Sequence, residues 1–501
     1  MTKKTKITLL VLFVGLTTFL IAQSPDTLWT RTYGGASHDV GKAIRICSDS
    51  GYIICGATSS FGSGGWDVYL VRTDDKGDTL WTRTYGGFDN DEGGDVALTP
   101  DGGYIIAGYT CSFGAGGRDV YVVRVDSVGD TLWTRTYGGL SDDEANAIQP
   151  TPDGGYVICG TTYSFGTRLG DVYLLKMDSL SDTLWSCTYG GTSTDIGQDV
   201  VVLEDSSMLL CGSTWSYGAG GEDVYLIKTD RKGDTLWTRT HGGENREAGY
   251  DITTTMDGGF LVSGTSYFSL LGYEMFVFKT DEAGQVQWNY FNGSLGDDYA
   301  YANAEIPGRG YVFCGNFSFE LFLIRADTAG NHYQYWIIGG AGTDCAYDLA
   351  IHPDGSYAVL GNTTSFGQGM TDIWLLRFGR DTLGVGETMQ SPNAVPFLTI
   401  APNPCRNRVH LRFTMPASIN TMQDTRYMIH DKRNTALRIY DVSGRLVKDL
   451  SSDLGSCILD HESILLWNGT DNYGHSLPPG VYLVELTSGS TRLSEKVVFL
   501  R

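Results

Sequence analysis

Carboxylates recur through this chain at positions that could hold a hard cation. One series comprises Asp39, Asp91, Asp143, Asp195, Glu247, Asp297 and Asp344. A second comprises Asp67, Asp119, Asp171, Asp223, Glu274, Glu320 and Asp372. Both follow glycine-rich or turn-like sequence, where oxygen ligands for calcium are often gathered. Asp39, Asp91, Asp143 and Asp195 are the candidate ligands of such an ion. The D-x-[DN]-x-[DN]-G spacing of a preformed calcium loop is absent, and no other cofactor is called for. The other chemistry open to these carboxylates is structural: they accept backbone N–H groups at turns and strand starts. Their presence in every unit favours that scaffolding role.

Aromatic side chains on glycine loops could stack on sugars. Phe61, Phe113, Phe165, Tyr217 and Phe366 recur in S-F/Y-G loops and read as plugs between units. Trp66 and Trp215 each occur in one unit only, which makes them the candidate ligand-rim residues. Little points to catalysis. His38, His241, His332 and His352 lack metal-site spacing, and there is no G-x-S-x-G, H-E-x-x-H or phosphate loop. Two carboxylates placed as in a glycosidase would leave no sequence signature, because their separation in space defines the pair.

The elements that position these residues come in repeats. The phrase DTLWTRTYGG, or a variant, surrounds Trp29, Trp81, Trp133, Trp185 and Trp237, with degenerate copies at Trp288 and Trp336. The steps are 52, 52, 52, 52, 51 and 48 residues. Each unit reads as four strands. In the second they are Asp91–Leu98, Tyr104–Thr110, Asp119–Val125 and Thr131–Tyr137, separated by Asp-Gly and Gly-Gly turns. The third strand is apolar on both faces, as in Val120-Tyr121-Val122-Val123, so its sheet needs neighbours above and below. A β-propeller supplies them. The strand count predicts closure. Asp26–Tyr33 is a surplus Trp strand at one end, and Thr371–Phe378 lacks one at the other. Pairing them completes a seventh blade and removes both free edges. The fold expected is all-β: a seven-bladed propeller over residues 26–380, a linker at 381–397, and an Ig-like β-sandwich over 398–501.

Residues 1–22 read as an export signal, with Lys3, Lys4 and Lys6 before a largely apolar run from Ile7 to Ala22. No transmembrane span is expected once it is removed. The net charge of −22 repels phosphate backbones, which argues against nucleic-acid partners and suits a secreted or surface protein. Cys55, Cys159, Cys211 and Cys314 share one strand position and read as buried thiols, leaving Cys405 and Cys457 as the pair to consider for a disulfide.

The C-terminal segments LRIYDVSGRLV, WNGTDNYGHSLPPGVY and KVVFLR resemble the FlgD-type immunoglobulin-like domain and the related C-terminal sorting domain of type IX secretion substrates. Trp467, Asp471, Gly474, Gly480 and Tyr482 carry that pattern, with Lys496 in the tail. The resemblance implies recognition by the outer-membrane secretion machinery, followed by release or surface attachment. Residues 26–380 resemble bacterial secreted β-propeller repeat proteins. Together these readings imply a non-catalytic binding or structural protein whose partner is an extracellular protein or glycan. A carbohydrate-active protein and a calcium-dependent adhesin are the alternatives.

Overall fold

The computed structural model describes residues 27–268, 272–293, 297–380, 398–401, 409–413, 435–451, 463–488 and 491–499. The expected signal segment, the linker, and Cys405 and Cys457 lie outside them. Every regular element among the described residues is a β-strand, numbered β1 to β35 in chain order. No helix there is long and apolar enough to cross a membrane.

The second unit shows how sequence makes a sheet. Its strands β6 (Asp91–Leu98), β7 (Tyr104–Thr110), β8 (Asp119–Val125) and β9 (Thr131–Tyr137) have the bounds read from the sequence, and pair antiparallel in that order. β7 and β8 are buried along their whole length, whereas β9 leaves Thr131, Leu132 and Thr134 exposed. The register slips between Gly93 and Asp95, forming a bulge in β6. Gly108 faces that bulge. A Cβ there would lie 1.9 Å from the Glu92 carbonyl oxygen, so only glycine fits.

The Trp phrase clamps one sheet to the next. The Tyr85 hydroxyl donates to the Gly129 carbonyl at 2.7 Å, and Tyr33 does the same to Gly77 and Tyr189 to Gly233. Gly129, at φ +84°, sits against the Trp81 ring, where a Cβ would meet the indole at 3.0 Å. Arg83 covers that indole at 5.6 Å. Trp, Arg and Tyr of one phrase thus grip the turn before the next phrase.

Within residues 27–378 the strands form seven four-stranded antiparallel sheets. Six are made of consecutive strands. The other joins β26 (Asp344–Ile351), β27 (Tyr357–Thr363) and β28 (Asp372–Phe378) to β1 (Thr27–Tyr33), with Thr30 opposite Leu376 and Tyr33 opposite Ile373. Apolar clusters lie between sheets. One packs Val96, Ile106 and Val123 against Ile53, Cys55 and Leu70. Another packs Ile44, Ile54 and Val71 against Leu360, Ile373 and Leu375. The first strands of successive sheets contact each other: β2 (Asp39–Ile46), β6, β10 (Asp143–Pro150), β14 (Asp195–Val202), β18 (Arg246–Thr254), β22 (Asp298–Ile306) and β26, which also contacts β2. This is a propeller-like arrangement, with the first strands innermost.

The remaining strands form a separate pair of sheets. One contains β29 (Leu398–Ala401), β30 (Val409–Phe413) and β33 (Ser463–Trp467). The other orders β32 (Leu446–Asp449), β31 (Thr435–Asp441), β34 (Gly480–Ser488) and β35 (Thr491–Phe499). Val409, Leu411, Leu437, Ile439, Val484 and Val497 meet in one core around Trp467.

Candidate functional site

The acidic series forms scaffold bonds. Asp39, Asp91, Asp143 and Asp195 are fully buried at the starts of their first strands. Asp39 accepts the Gly35 amide at 2.7 Å, the Ser60 hydroxyl at 2.6 Å and the Thr58 hydroxyl. The bonds repeat at Asp91 with Gly87, Ser112 and Thr110, at Asp143 with Gly139, Ser164 and Thr162, and at Asp195 with Gly191, Ser216 and Thr214. The T-x-S-F/Y loop is therefore shaped to satisfy one buried carboxylate, which would otherwise be costly. The sixth member of the series is Asp298, fully buried, and not Asp297, which is exposed and accepts the Tyr273 amide at 3.2 Å. Asp298 follows Glu247 by 51 residues, where each earlier step of the series is 52. In the second series, Asp67 accepts the Ser63 amide at 2.8 Å and Asp119 the Ala115 amide at 2.9 Å. No group of three or more His, Cys, Asp or Glu side chains among the described residues is arranged to hold a metal ion.

The loop aromatics differ from buried plugs. Phe61, Phe113, Phe165, Tyr217 and Phe366 lie on Tyr69, Tyr121, Tyr173, Tyr225 and Trp374 of their own units, and stay 40–46% exposed. Trp66 stacks on His38 at 6.1 Å, and Trp215 lies under the Arg246 guanidinium at 4.9 Å. These two tryptophans belong to the first and fourth units and are not brought into contact.

In the C-terminal sheets, Trp467 is 1% exposed, and its indole N–H donates to the Thr470 carbonyl at 2.9 Å. Asp471 accepts the Tyr473 and His475 amides at 2.8 and 2.9 Å, and Gly474 at φ +81° completes that turn. Gly480 opens β34, Tyr482 donates to the Pro478 carbonyl at 2.5 Å, and Lys496 is exposed on β35 opposite Leu483.

Sequence reading missed a set of side chains on the innermost strands. At the bulge, Asp95, Asp199, Asp251 and Asp348 each reach to the next sheet. They accept the amides of Ile148, Ile252, Asn303 and Ile44 at 2.7–3.0 Å. Where the first unit has Ala43 in that place, Arg45 donates to Asp95 at 2.6 Å and to Asp348 at 2.9 Å. Among the described residues, Asp199 and Asp251 have no Lys or Arg in ion-pair distance. Burial pushes the Asp199 carboxyl up to about 6, and burial together with the facing Asp199 pushes Asp251 well above the usual range. Both shifts favour the protonated form of the pair over two facing carboxylates.

This pair has a pH signature. A carboxyl whose folded pKa exceeds its unfolded value of 3.8 destabilises the fold as it ionises. The cost is absent below pH 3.8, grows as pH rises through the folded value, and is complete above it. In Asp251→Asn, the amide oxygen still accepts from Asn303 and the amide nitrogen donates to Asp199. The variant is expected to gain roughly 1 kcal/mol above pH 7, an amount already reduced for nearby water. Calorimetric melts from pH 4 to 8 should show a flatter profile than the parent, and an unchanged profile would refute the coupling of these two carboxyls.

Beside these carboxyls runs a row of tyrosines confined to the last three units. Tyr250 stands on β18, Tyr299 and Tyr301 on β22, and Tyr347 on β26, with Tyr273 next to Tyr299. The stacked contacts are Tyr273–Tyr299 at 5.5 Å, Tyr299–Tyr301 at 5.5 Å and Tyr301–Tyr347 at 5.0 Å. All five rings are partly exposed. In the first four units, the places of Tyr250, Tyr301 and Tyr347 hold Lys42, Gly94, Asn146 and Gln198. Comparing the units at the bulge residue would have revealed the row.

The chain is thus an all-β protein of repeated four-stranded antiparallel sheets, with a tyrosine row on one side of its innermost wall. No family model matches it. The regulatory protein FlaEY of Caulobacter vibrioides is 27% identical over 221 residues, covering 37% of this chain and 23% of that relative. The chain therefore spans less than a quarter of that relative's length. Among solved structures, the Pan2 WD40 domain of Neurospora crassa has a TM-score of 0.44 at 9% identity, covering 68% of this chain and 90% of that one. Sqt1 of Chaetomium thermophilum has a TM-score of 0.42 at 12% identity, covering 71% of this chain and 98% of that one.

Proposed function

We propose that this chain is an exported, non-catalytic binding protein: a seven-bladed propeller closed by β1 and followed by an Ig-like sandwich. The observation that carries the binding role is the tyrosine row. Five partly exposed rings gathered where the repeats depart from their pattern are not needed to build a blade, since the first four units form sheets without them. Tyrosine offers large amphipathic contact area at low entropic cost, which is why it dominates many recognition surfaces. The pairing of β1 with β28 and the contact of β26 with β2 support a closed ring. The two C-terminal sheets around Trp467 support the sandwich, and the FlgD-like segments give it a role in secretion or surface attachment.

The purified protein lacking residues 1–22 is expected to retain an extracellular protein or glycan from an immobilised panel, and Tyr301→Ala should lose that ligand. It should release no reducing sugar from a polysaccharide panel. Hydrolysis that disappears in Asp199→Asn would overturn the non-catalytic reading. Residues 398–501 fused to a periplasmic reporter should carry it to the surface of a type IX-secreting host. A reporter that stays periplasmic would leave the module a spacer.

A further inference from the structure

Resting on the binding role just given, we propose that the tyrosine row receives a Lys- or Arg-bearing peptide segment of a protein partner. The first ground is ring geometry. Tyr299 and Tyr301 lie within 13° of parallel, and Tyr301 and Tyr347 within 24°, so the rings cover one another's faces. The five residues are partly exposed. A sugar that needs an open aromatic face finds none along the middle of this row, whereas a hydrogen-bond donor finds a line of phenol oxygens.

The second ground is the state of those oxygens. Among the described residues, the hydroxyls of Tyr250, Tyr273, Tyr299 and Tyr301 have no hydrogen-bond partner. The contrast with the opposite side of the inner wall is direct. There, Lys42 pairs with Glu92 at 2.8 Å, Tyr109 donates to Glu92 at 2.6 Å, and Arg118 pairs with Glu144. That side satisfies itself, and the tyrosine side leaves its polar edges open.

The third ground is charge. The accessible carboxylates beside these phenols are Glu222 at Tyr250 and Asp297 at Tyr299. Glu222 spends one oxygen on the Ser213 hydroxyl at 2.5 Å, and Asp297 stands exposed and accepts the Tyr273 amide at 3.2 Å. Burial pushes the Tyr299 and Tyr347 phenols up to about 12, so these two stay neutral and hydroxylated at ordinary pH. Carboxylates flanking neutral phenols suit ammonium and guanidinium donors, and the net charge of −22 speeds encounter with a basic partner. A polyanion is repelled by the same field.

The test uses the mature full-length chain and fluorescence anisotropy. The probes are labelled nonapeptides graded in Lys and Arg content, acidic nonapeptides of matched length, and a set of neutral oligosaccharides. Affinity is expected to rise with Lys and Arg content. The double variant Tyr299→Phe/Tyr301→Phe keeps the stack and removes two hydroxyls, and it should weaken peptide binding at least tenfold. Glu222→Gln should weaken it as well, while Tyr473→Phe on the C-terminal unit should not. Basic peptides that bind the double variant as tightly as the parent would show general charge attraction and overturn the proposal. Neutral oligosaccharides that bind instead, and are lost in the double variant, would overturn the peptide assignment and leave the binding role standing. No binding to any probe would remove both.

Discussion

Deleting residues 27–33 is expected to unfold the repeat region as a whole rather than fray one end. β1 is the fourth strand of the sheet whose other members are the last three strands of that region. Its loss bares the edge of β28, a strand buried along all seven residues. It also removes the Tyr33 bond to Gly77 and the Trp29 ring, which lies edge-on to Tyr52 at 5.9 Å. Strand pairing at roughly 0.5–1 kcal/mol per hydrogen bond, plus the lost apolar contact, comes to on the order of 5 kcal/mol. That rivals the whole stability of many domains. In the proposed ring every sheet has two neighbours, so the damage has no free end at which to stop. Hydrogen exchange should show protection falling in β2 and β3 (Tyr52–Thr58) as well as in β26 to β28. A synthetic peptide of residues 24–35 should restore it. Loss of protection confined to β26–β28, with a fall in Tm of only a few degrees, would sink closure and favour an open stack.

The sequence was legible where local chemistry sets the structure. The strands of the second unit were readable to the residue because Asp-Gly and Gly-Gly turns bound short runs rich in β-branched and aromatic residues. The purpose of the Trp phrase was not readable. The Tyr85 hydroxyl bonds Gly129, 44 residues on, and only the stacking of successive sheets brings the two together. The buried carboxylates were ambiguous for the same reason, because the hydroxyls that satisfy Asp39 come from Thr58 and Ser60 across a sheet. Asp298 and not Asp297 continues the series because the step from Glu247 is 51 residues rather than 52, and only the fold tells these adjacent aspartates apart. The tyrosine row escaped notice through the strength of the repeat itself. Attention to what recurs hides what differs, and Tyr299, Tyr301 and Tyr347 announce themselves only when the inner strands are laid side by side.

Trp467→Ala is expected to unfold the C-terminal unit and leave the repeat region intact. Trp467 is the largest side chain of that core, edge-on to Tyr482 at 5.6 Å and to Phe499 at 5.5 Å. Truncating a buried tryptophan costs about 3–5 kcal/mol, and a unit of roughly 100 residues has little more than that to lose. The indole N–H bond to Thr470 goes too, loosening the turn that holds Asp471 and Gly474. The apolar clusters of the repeat region contain no residue beyond Phe378, so its core does not feel the change. Calorimetry of the parent should resolve two transitions, and the variant should lose one while the other stays within about 1 °C. Trp467→Phe keeps an aromatic ring beside Tyr482 and Phe499 and should recover part of the lost transition. If both transitions move together, the two units share a core and the separable module is wrong. If they do not, the variant divides the proposed roles: binding at Tyr301 persists in the purified protein, and surface delivery fails in the cell.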